Sequence, residues 1–145
     1  DPANPPVIQQ EGITTVYFFA VEKAGNKENE KSTPVKIDKT TPMVNIIATP
    51  ANIWPPNKKQ VAVKINGSAS DAVSGMASKN FTFKDEYNEV NASVTDFGQT
   101  INVIAWRNGD DMEGRRYTVS VTAKDQAGLT DVASAEIIIP HDMRK

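Results

Sequence analysis

The chain has 145 residues, with 16 basic and 18 acidic side chains that give a formal net charge of −2. This balance, without a basic stripe or a run of about 18 apolar residues, argues against nucleic-acid binding and against direct insertion into a membrane. Cysteine is absent, which excludes a disulfide scaffold, a thiol nucleophile and a Cys-ligated zinc site.

The first 41 residues predict one β-hairpin followed by a linker. The start, Asp1–Pro6, has the composition of an interdomain linker, so we expect the chain to be a piece of a longer polypeptide. A strand is predicted over Thr15–Val21, which is rich in β-branched and aromatic residues, and the turn Lys23–Asn26 separates it from a second strand over Lys31–Ile37. The polar, proline-ended run Asp38–Pro42 then suits a joint between modules.

Residues 42–140 alternate between apolar and polar side chains with a period of two, which is typical of strands with one buried face. The predicted strands are Met43–Thr49, Gln60–Asn66, Asn80–Lys84, Val90–Val94, Ile101–Trp106, Arg116–Lys124 and Ala133–Ile139. We therefore predict an all-β fold, an immunoglobulin-like (Ig-like) antiparallel β-sandwich over residues 42–140. Residues 1–41 are predicted to be the C-terminal hairpin and linker of a preceding Ig-like module, and residues 141–145 a C-terminal tail.

An internal repeat relates the hairpin to the end of the predicted sandwich. Phe19–Asn26 aligns with Thr122–Leu129 at an offset of 103 residues. In both segments a strand runs into an acidic residue, then x-Ala-Gly, and then a further strand. Tandem modules of similar build are the mark of an array, so the hairpin is expected to be the last hairpin of one module.

The same segments resemble a known family. Val16–Asn26 followed by Val35–Pro42 resembles the closing hairpin and linker of bacterial Ig-like repeats, and residues 42–142 resemble a related module. The motifs of the second resemblance are IWPPN at Ile53–Asn57, SASDAVSG at Ser68–Gly75, GRRYTVSVTAKDQAG at Gly114–Gly128 and PHD at Pro140–Asp142. The chain is thus similar to bacterial extracellular Ig-like (HYR/fibronectin-III-like) repeat modules of surface or secreted proteins. The resemblance implies a fold and an extracellular location, secreted or at the cell surface, but no ligand.

Acidic residues near the predicted loops are candidate metal ligands. Asp38 in the linker is expected to meet a loop at one end of the sandwich, either at Asp71 or at the loop that contains Asp110 and Asp111. Calcium binds roughly six to eight oxygen ligands, and interdomain joints can supply them, so calcium is the one cofactor that the sequence suggests. The alternative is that these side chains cap turns. Further acidic residues in or beside predicted loops are Asp85, Glu86, Glu113 and Asp125.

Aromatic side chains are the candidate ligand-binding residues. Trp54, Trp106 and Tyr87 could form a flat platform on which sugars stack. The alternative for all three is packing in the core or at its rim, because a sandwich usually buries one Trp between its sheets. Tyr117, near the start of the penultimate strand, is expected to bond back to upstream backbone as a tyrosine corner does.

No catalytic residue is predicted, and the chain is not expected to be an enzyme. The only histidine, His141, is next to Asp142, and adjacent side chains on an extended segment point in opposite directions. A small extracellular module without cysteine favours a bacterial origin.

We expect a non-catalytic structural spacer or adhesion module of a secreted or cell-surface bacterial protein. The alternative is a carbohydrate- or protein-binding accessory module of a large extracellular hydrolase. Expected partners are neighbouring Ig-like domains of the same polypeptide and, for a binding module, a glycan or a host surface protein. The spacer hypothesis predicts that Trp54 and Trp106 are buried.

Overall fold

The computed structural model describes residues 7–143, and every regular element in that range is a β-strand. The strands are β1 (Gly12–Phe18), β2 (Lys31–Ile37), β3 (Met43–Thr49), β4 (Gln60–Ser70), β5 (Met76–Asp85), β6 (Gln99–Ile104), β7 (Arg115–Asp125) and β8 (Thr130–Ile139). They form three antiparallel sheets with the orders β1-β2, β3-β4-β6 and β5-β7-β8. The predicted all-β class is confirmed. The expected linker Asp1–Pro6 lies outside the described residues.

The two three-stranded sheets pack face to face, and the core of the molecule lies between them. Each sheet contributes the alternate residues of its strands, such as Val63 and Ile65 from β4 and Ile137 and Ile139 from β8, all with no exposed surface. In β7, the predicted inward residues Tyr117, Val119, Val121 and Ala123 are likewise fully buried. The alternation therefore predicts the core face correctly, because only one face of each sheet is shielded from water.

The Tyr117 side chain joins the two sheets of the sandwich. Its hydroxyl donates to the carbonyl oxygen of Ile104 at 2.9 Å and accepts from the Ile104 N–H at 3.3 Å. Ile104 ends β6, so a residue of one sheet satisfies the last backbone groups of the other. The expectation that Tyr117 bonds back to upstream backbone is confirmed.

Most predicted strands differ from the structure in their bounds; β4, β5 and β8 are longer than predicted, and β6 ends at Ile104 rather than at Trp106. Two predictions differ for a reason that the structure shows. The strand predicted at Thr15–Val21 ends at Phe18, because its partner β2 begins opposite that residue, at Lys31. The segment 90–94, predicted as a strand, forms none, since the carboxylate of Asp85 accepts the N–H groups of Glu89 and Val90 at 2.9 and 2.8 Å. These bonds hold the start of the segment as a loop.

The two repeated segments fold into the same turn. In the hairpin, the N–H of Glu22 donates to the carbonyl of Asn26 at 2.8 Å, and Gly25 donates back to Glu22 at 2.9 Å. After β7, the equivalent bonds from Asp125 and Gly128 measure 2.9 and 3.1 Å. Both glycines have positive φ, 87° and 92°, a conformation that favours glycine. The repeat in sequence is therefore also a repeat in structure.

The β1-β2 hairpin has no buried apolar face of its own. Ile13, Tyr17 and Val21 are 68, 64 and 58% exposed, and Phe18 and Phe19 are about half exposed. An isolated two-stranded hairpin is marginal in water, so the sequence predicts that this one packs on the sandwich, pairs with another chain or is stabilised by neighbouring modules. In the structure these apolar side chains do not pack on the sandwich, since they are exposed to solvent. A hydrogen bond between the hairpin side and the sandwich is made by the linker, through Asp38.

Candidate functional site

The loop between β4 and β5 is shaped by one carboxylate. Oδ2 of Asp71 accepts the N–H groups of Val73, Ser74 and Gly75 at 3.2, 2.7 and 2.9 Å. The side chain thus caps its own loop, as aspartate commonly does in turns. The result is that the Ser74 hydroxyl is directed towards the linker that follows β2.

The linker after β2 meets this loop through Asp38. Oδ2 of Asp38 accepts a short hydrogen bond from the Ser74 hydroxyl, and Oδ1 accepts the N–H of Thr40 at 2.9 Å. The Ser74 bond, together with the Thr40 N–H, holds the pKa of Asp38 below its ordinary value, against the opposing effect of partial burial. Asp38 is therefore a carboxylate at neutral pH.

Asp125, the last residue of β7, brings a third carboxylate to the same place. It is only 1% exposed, and its Oδ1 accepts the N–H of Leu129 at 2.8 Å. Its Oδ2 is buried and has no hydrogen-bond partner among the described residues. Buried polar atoms are nearly always paired, so this oxygen requires an explanation.

Asp38, Asp71 and Asp125 form one cluster, which we call the joint cluster. Each residue offers one carboxylate oxygen, and these oxygens all lie within 4.8 Å of one another. Within residues 7–143, none of the three forms an ion pair with a basic side chain. The residues are chemically suited to hold a hard cation that prefers oxygen ligands. Calcium binding at Asp38 and Asp71 stays a prediction, and the structure places the two residues close together.

Asp110 and Asp111 do not belong to the joint cluster. They precede the start of β7, whereas Asp125 is its last residue, and an 11-residue strand spans on the order of 30 Å. Asp111 accepts a short hydrogen bond from the Tyr87 hydroxyl and the N–H of Gly114 at 3.0 Å, while Asp110 is exposed. Of the two loops expected to meet Asp38, the structure therefore selects the one that contains Asp71.

Tyr87 and Trp106 lie together, but they do not form a flat platform. Their ring centroids are 5.9 Å apart and the ring planes are inclined by 80°. The guanidinium of Arg115 lies over both rings, 4.4 Å from the centroid of Tyr87 and 5.5 Å from that of Trp106. The two side chains thus pack around a buried arginine, which agrees with the packing alternative rather than with a sugar platform.

Trp54 is the exposed member of the predicted aromatic set. Its side chain is 47% exposed, and among the described residues it makes no ring contact with Tyr87 or Trp106. The spacer hypothesis predicted burial of this residue, and that expectation is wrong. Its neighbour Ile53 enters the core instead, at 5% exposure, with its N–H bonded to the carbonyl of Ile138 at 2.9 Å.

Asp125 is the site residue that sequence reasoning did not single out as a ligand. It appeared only as one of several acidic residues near loops. A usable signal was present in the internal repeat, since Glu22 occupies the equivalent position before x-Ala-Gly. An acidic residue placed at the same strand end twice indicates a role for that end of the module.

Comparison with known proteins gives no family for the chain. No family model matches the sequence, and a search of curated proteins finds no significant match. Within residues 7–143 there is no helix long and apolar enough to cross a membrane.

Proposed function

We propose that the chain is a non-catalytic structural module of a secreted or cell-surface protein, in which Ig-like β-sandwiches follow one another along the polypeptide. The observation that supports this proposal is the shared turn of the two repeated segments, with equivalent hydrogen bonds and glycine φ angles. A turn repeated at an offset of 103 residues is what a tandem array of modules of about 100 residues produces.

The exposed face of the hairpin supports the same proposal. By the 103-residue offset, Phe18 corresponds to Val121 and Ala20 to Ala123. The two β7 residues are fully buried by the facing sheet, whereas Phe18 is 47% exposed and Ala20 is also exposed. The hairpin therefore presents the apolar positions of a core face, and we infer that a second sheet of the preceding module covers them.

Hydrogen bonds made by the linker support a fixed arrangement of hairpin and sandwich, which a spacer needs. Glu11, just before β1, accepts the N–H of Lys39 at 2.9 Å and the hydroxyl of Thr40 through the same carboxylate oxygen. Asp38 reaches the sandwich through Ser74. A cleft of about 400 Å³ otherwise lies between hairpin and sandwich. These polar contacts thus determine how the two parts are held.

A fixed joint predicts a narrow distance distribution between hairpin and sandwich. Because the chain has no native cysteine, spin labels can be attached to Lys23→Cys in the hairpin and Lys64→Cys in β4, both exposed positions. With saturating calcium, we expect a distribution as narrow as that of a control pair within the sandwich, Lys64→Cys with Asp131→Cys. A distribution several times broader than the control would contradict the spacer proposal and indicate a flexible tether.

The exposed Trp54 supports a second candidate, a carbohydrate- or protein-binding accessory module. An exposed Trp in a Pro-rich turn can stack on a sugar or insert into a partner surface. If this candidate is correct, the chain binds one class in a panel of glycans and extracellular-matrix proteins, and Trp54→Ala loses that binding at least about ten-fold. Trp106→Ala is unsuitable as a control, because Trp106 packs against Tyr87 and Arg115. The matched control is Val132→Ala, at another exposed apolar residue. Absence of binding across the panel leaves the spacer function.

A further inference from the structure

The buried oxygen of Asp125 is the first of two observations that point to a bound ion. Its side chain is almost fully buried, and Oδ2 has no partner among the described residues. A buried carboxylate that lacks a counter-charge is strongly disfavoured, and proteins avoid it by pairing, by protonation or by binding a metal.

The second observation is the proximity of three carboxylates. Asp38 and Asp71 place an oxygen within 4.8 Å of that of Asp125. Among residues 7–143, none of these three aspartates forms an ion pair with a basic side chain. Carboxylates at this distance repel one another, and a cation between them offsets the repulsion and gives the side chain of Asp125 a counter-charge.

The ligand chemistry favours calcium over other biological cations. The three residues offer carboxylate oxygens, whereas zinc prefers nitrogen and sulfur ligands. Calcium–oxygen distances are about 2.3–2.6 Å, so two oxygens on opposite sides of one ion are up to roughly 5 Å apart, which the 4.8 Å limit of the cluster meets. Calcium accepts about six to eight oxygen ligands in a flexible arrangement, whereas magnesium demands a near-ideal octahedron at about 2.0–2.1 Å.

We propose that Asp38, Asp71 and Asp125 bind one calcium ion that clamps the linker onto the sandwich. Asp38 follows the hairpin, while Asp71 and Asp125 belong to the sandwich, so a single ion connects the two parts. This inference deepens the proposed spacer function and rests on it for its biological meaning. Calcium binding itself can be measured whether or not the chain acts as a spacer.

Calorimetric titration of the full chain with calcium chloride tests the proposal. We expect one site with a dissociation constant of roughly 0.1–1 mM, the range of extracellular modules. Asp125→Asn and Asp38→Asn should each weaken binding by at least about ten-fold, because affinity follows the number of charged ligands. The matched control Asp110→Asn, at the opposite end of β7, should bind as the wild type does.

Thermal unfolding gives an independent readout that separates an ion site from a merely structural carboxylate. With calcium, the wild type should unfold at a higher temperature than Asp125→Asn, because the ion binds the folded wild type. With chelator, this difference should disappear or reverse, because the variant removes one of three acidic groups that lie close together. Lower stability of Asp125→Asn in chelator, or no calcium binding by the wild type, overturns the proposal. If Asp125→Asn does not fold, Asp38→Asn decides, because its linker position leaves the core intact.

The outcomes for the ion and for the spacer are distinguishable. If calcium does not bind but the label-distance distribution is narrow, the ion site is contradicted and the spacer proposal stands. One-site calcium binding with a broad label-distance distribution in calcium supports the ion site and contradicts the spacer function.

Discussion

Replacement of Arg115 by leucine is expected to lower the free energy of unfolding by about 3–5 kcal/mol, the cost of removing one partner of a buried ion pair. Arg115 has no exposed surface and Asp85 is 3% exposed. Nε and Nη2 of the arginine donate to the two oxygens of Asp85 at 3.0 and 2.6 Å. Leucine would leave the carboxylate charged, buried and without its counter-ion.

The surroundings of Arg115 add to this cost. Nη1 donates to the carbonyl of Trp106 at 3.2 Å, and the guanidinium lies 4.4 and 4.9 Å from the ring centroids of Tyr87 and Tyr117. The arginine thus connects β7 to the segment after β6 on the facing sheet. Loss of the arginine is expected to break the ion pair and also to loosen the packing of the Tyr87, Trp106 and Tyr117 rings around it.

Urea denaturation checks this prediction, with Arg116→Leu as the matched control. Arg116 is the next residue, but its side chain is 38% exposed and pairs with Glu113 and Glu136 at 3.4 and 4.0 Å. Exposed pairs of this kind contribute little, so the control should change stability by about 0.5 kcal/mol or less. Equal effects of the two substitutions would contradict the role assigned to Arg115.

The effect of Arg115→Leu should also depend on pH. Burial raises the pKa of Asp85, but the hydrogen bonds from Arg115 and from the N–H groups of Val90, Glu89 and Tyr87 outweigh it, so the pKa lies below 3.8. A lowered folded-state pKa gives stability that is present above the unfolded value near 3.8 and is lost as the pH falls through the folded value. The difference between wild type and variant should therefore shrink below about pH 4.

Replacement of Gly114 by alanine is the second large effect expected. Gly114 precedes β7 with φ of 87°, and a Cβ there would lie 2.6 Å from the carbonyl oxygen of Ile139 and 2.8 Å from Cα of Pro140. Both neighbours are backbone atoms, which cannot move aside as a flexible side chain can. We expect a loss of about 1–2 kcal/mol from the left-handed backbone and a further 1–3 kcal/mol from the overlap.

Gly98→Ala separates these two contributions. Gly98 has nearly the same φ, 85°, but no atom lies within 4 Å of the position that a Cβ would take there. The control should therefore show only the backbone cost, measured by the same urea titration. If Gly114→Ala is no more destabilising than Gly98→Ala, the close approach of the chain around Pro140 is not as rigid as its geometry indicates.

The strands illustrate how far local sequence specifies this fold. In β7 the side chains alternate strictly, and the predicted inward positions are the buried ones, because burial on one sheet face is a local, period-two property. In the segment 90–94 the same kind of apolar pattern forms no strand. The deciding interaction there comes from the carboxylate of Asp85, which lies earlier in the chain and takes backbone donors that a ladder would need.

The sequence by itself determined the all-β class, the inward face of β7 and the repeated turn that ends at Gly25 and Gly128, since each follows from neighbouring residues. Only the tertiary structure decided which acidic residues meet. The sequence alone allows Asp38 to meet either the loop that contains Asp71 or the loop that contains Asp110 and Asp111. The direction of β7 places Asp111 and Asp125 at opposite ends of the sandwich, and the linker enters at the end where Asp71 and Asp125 lie.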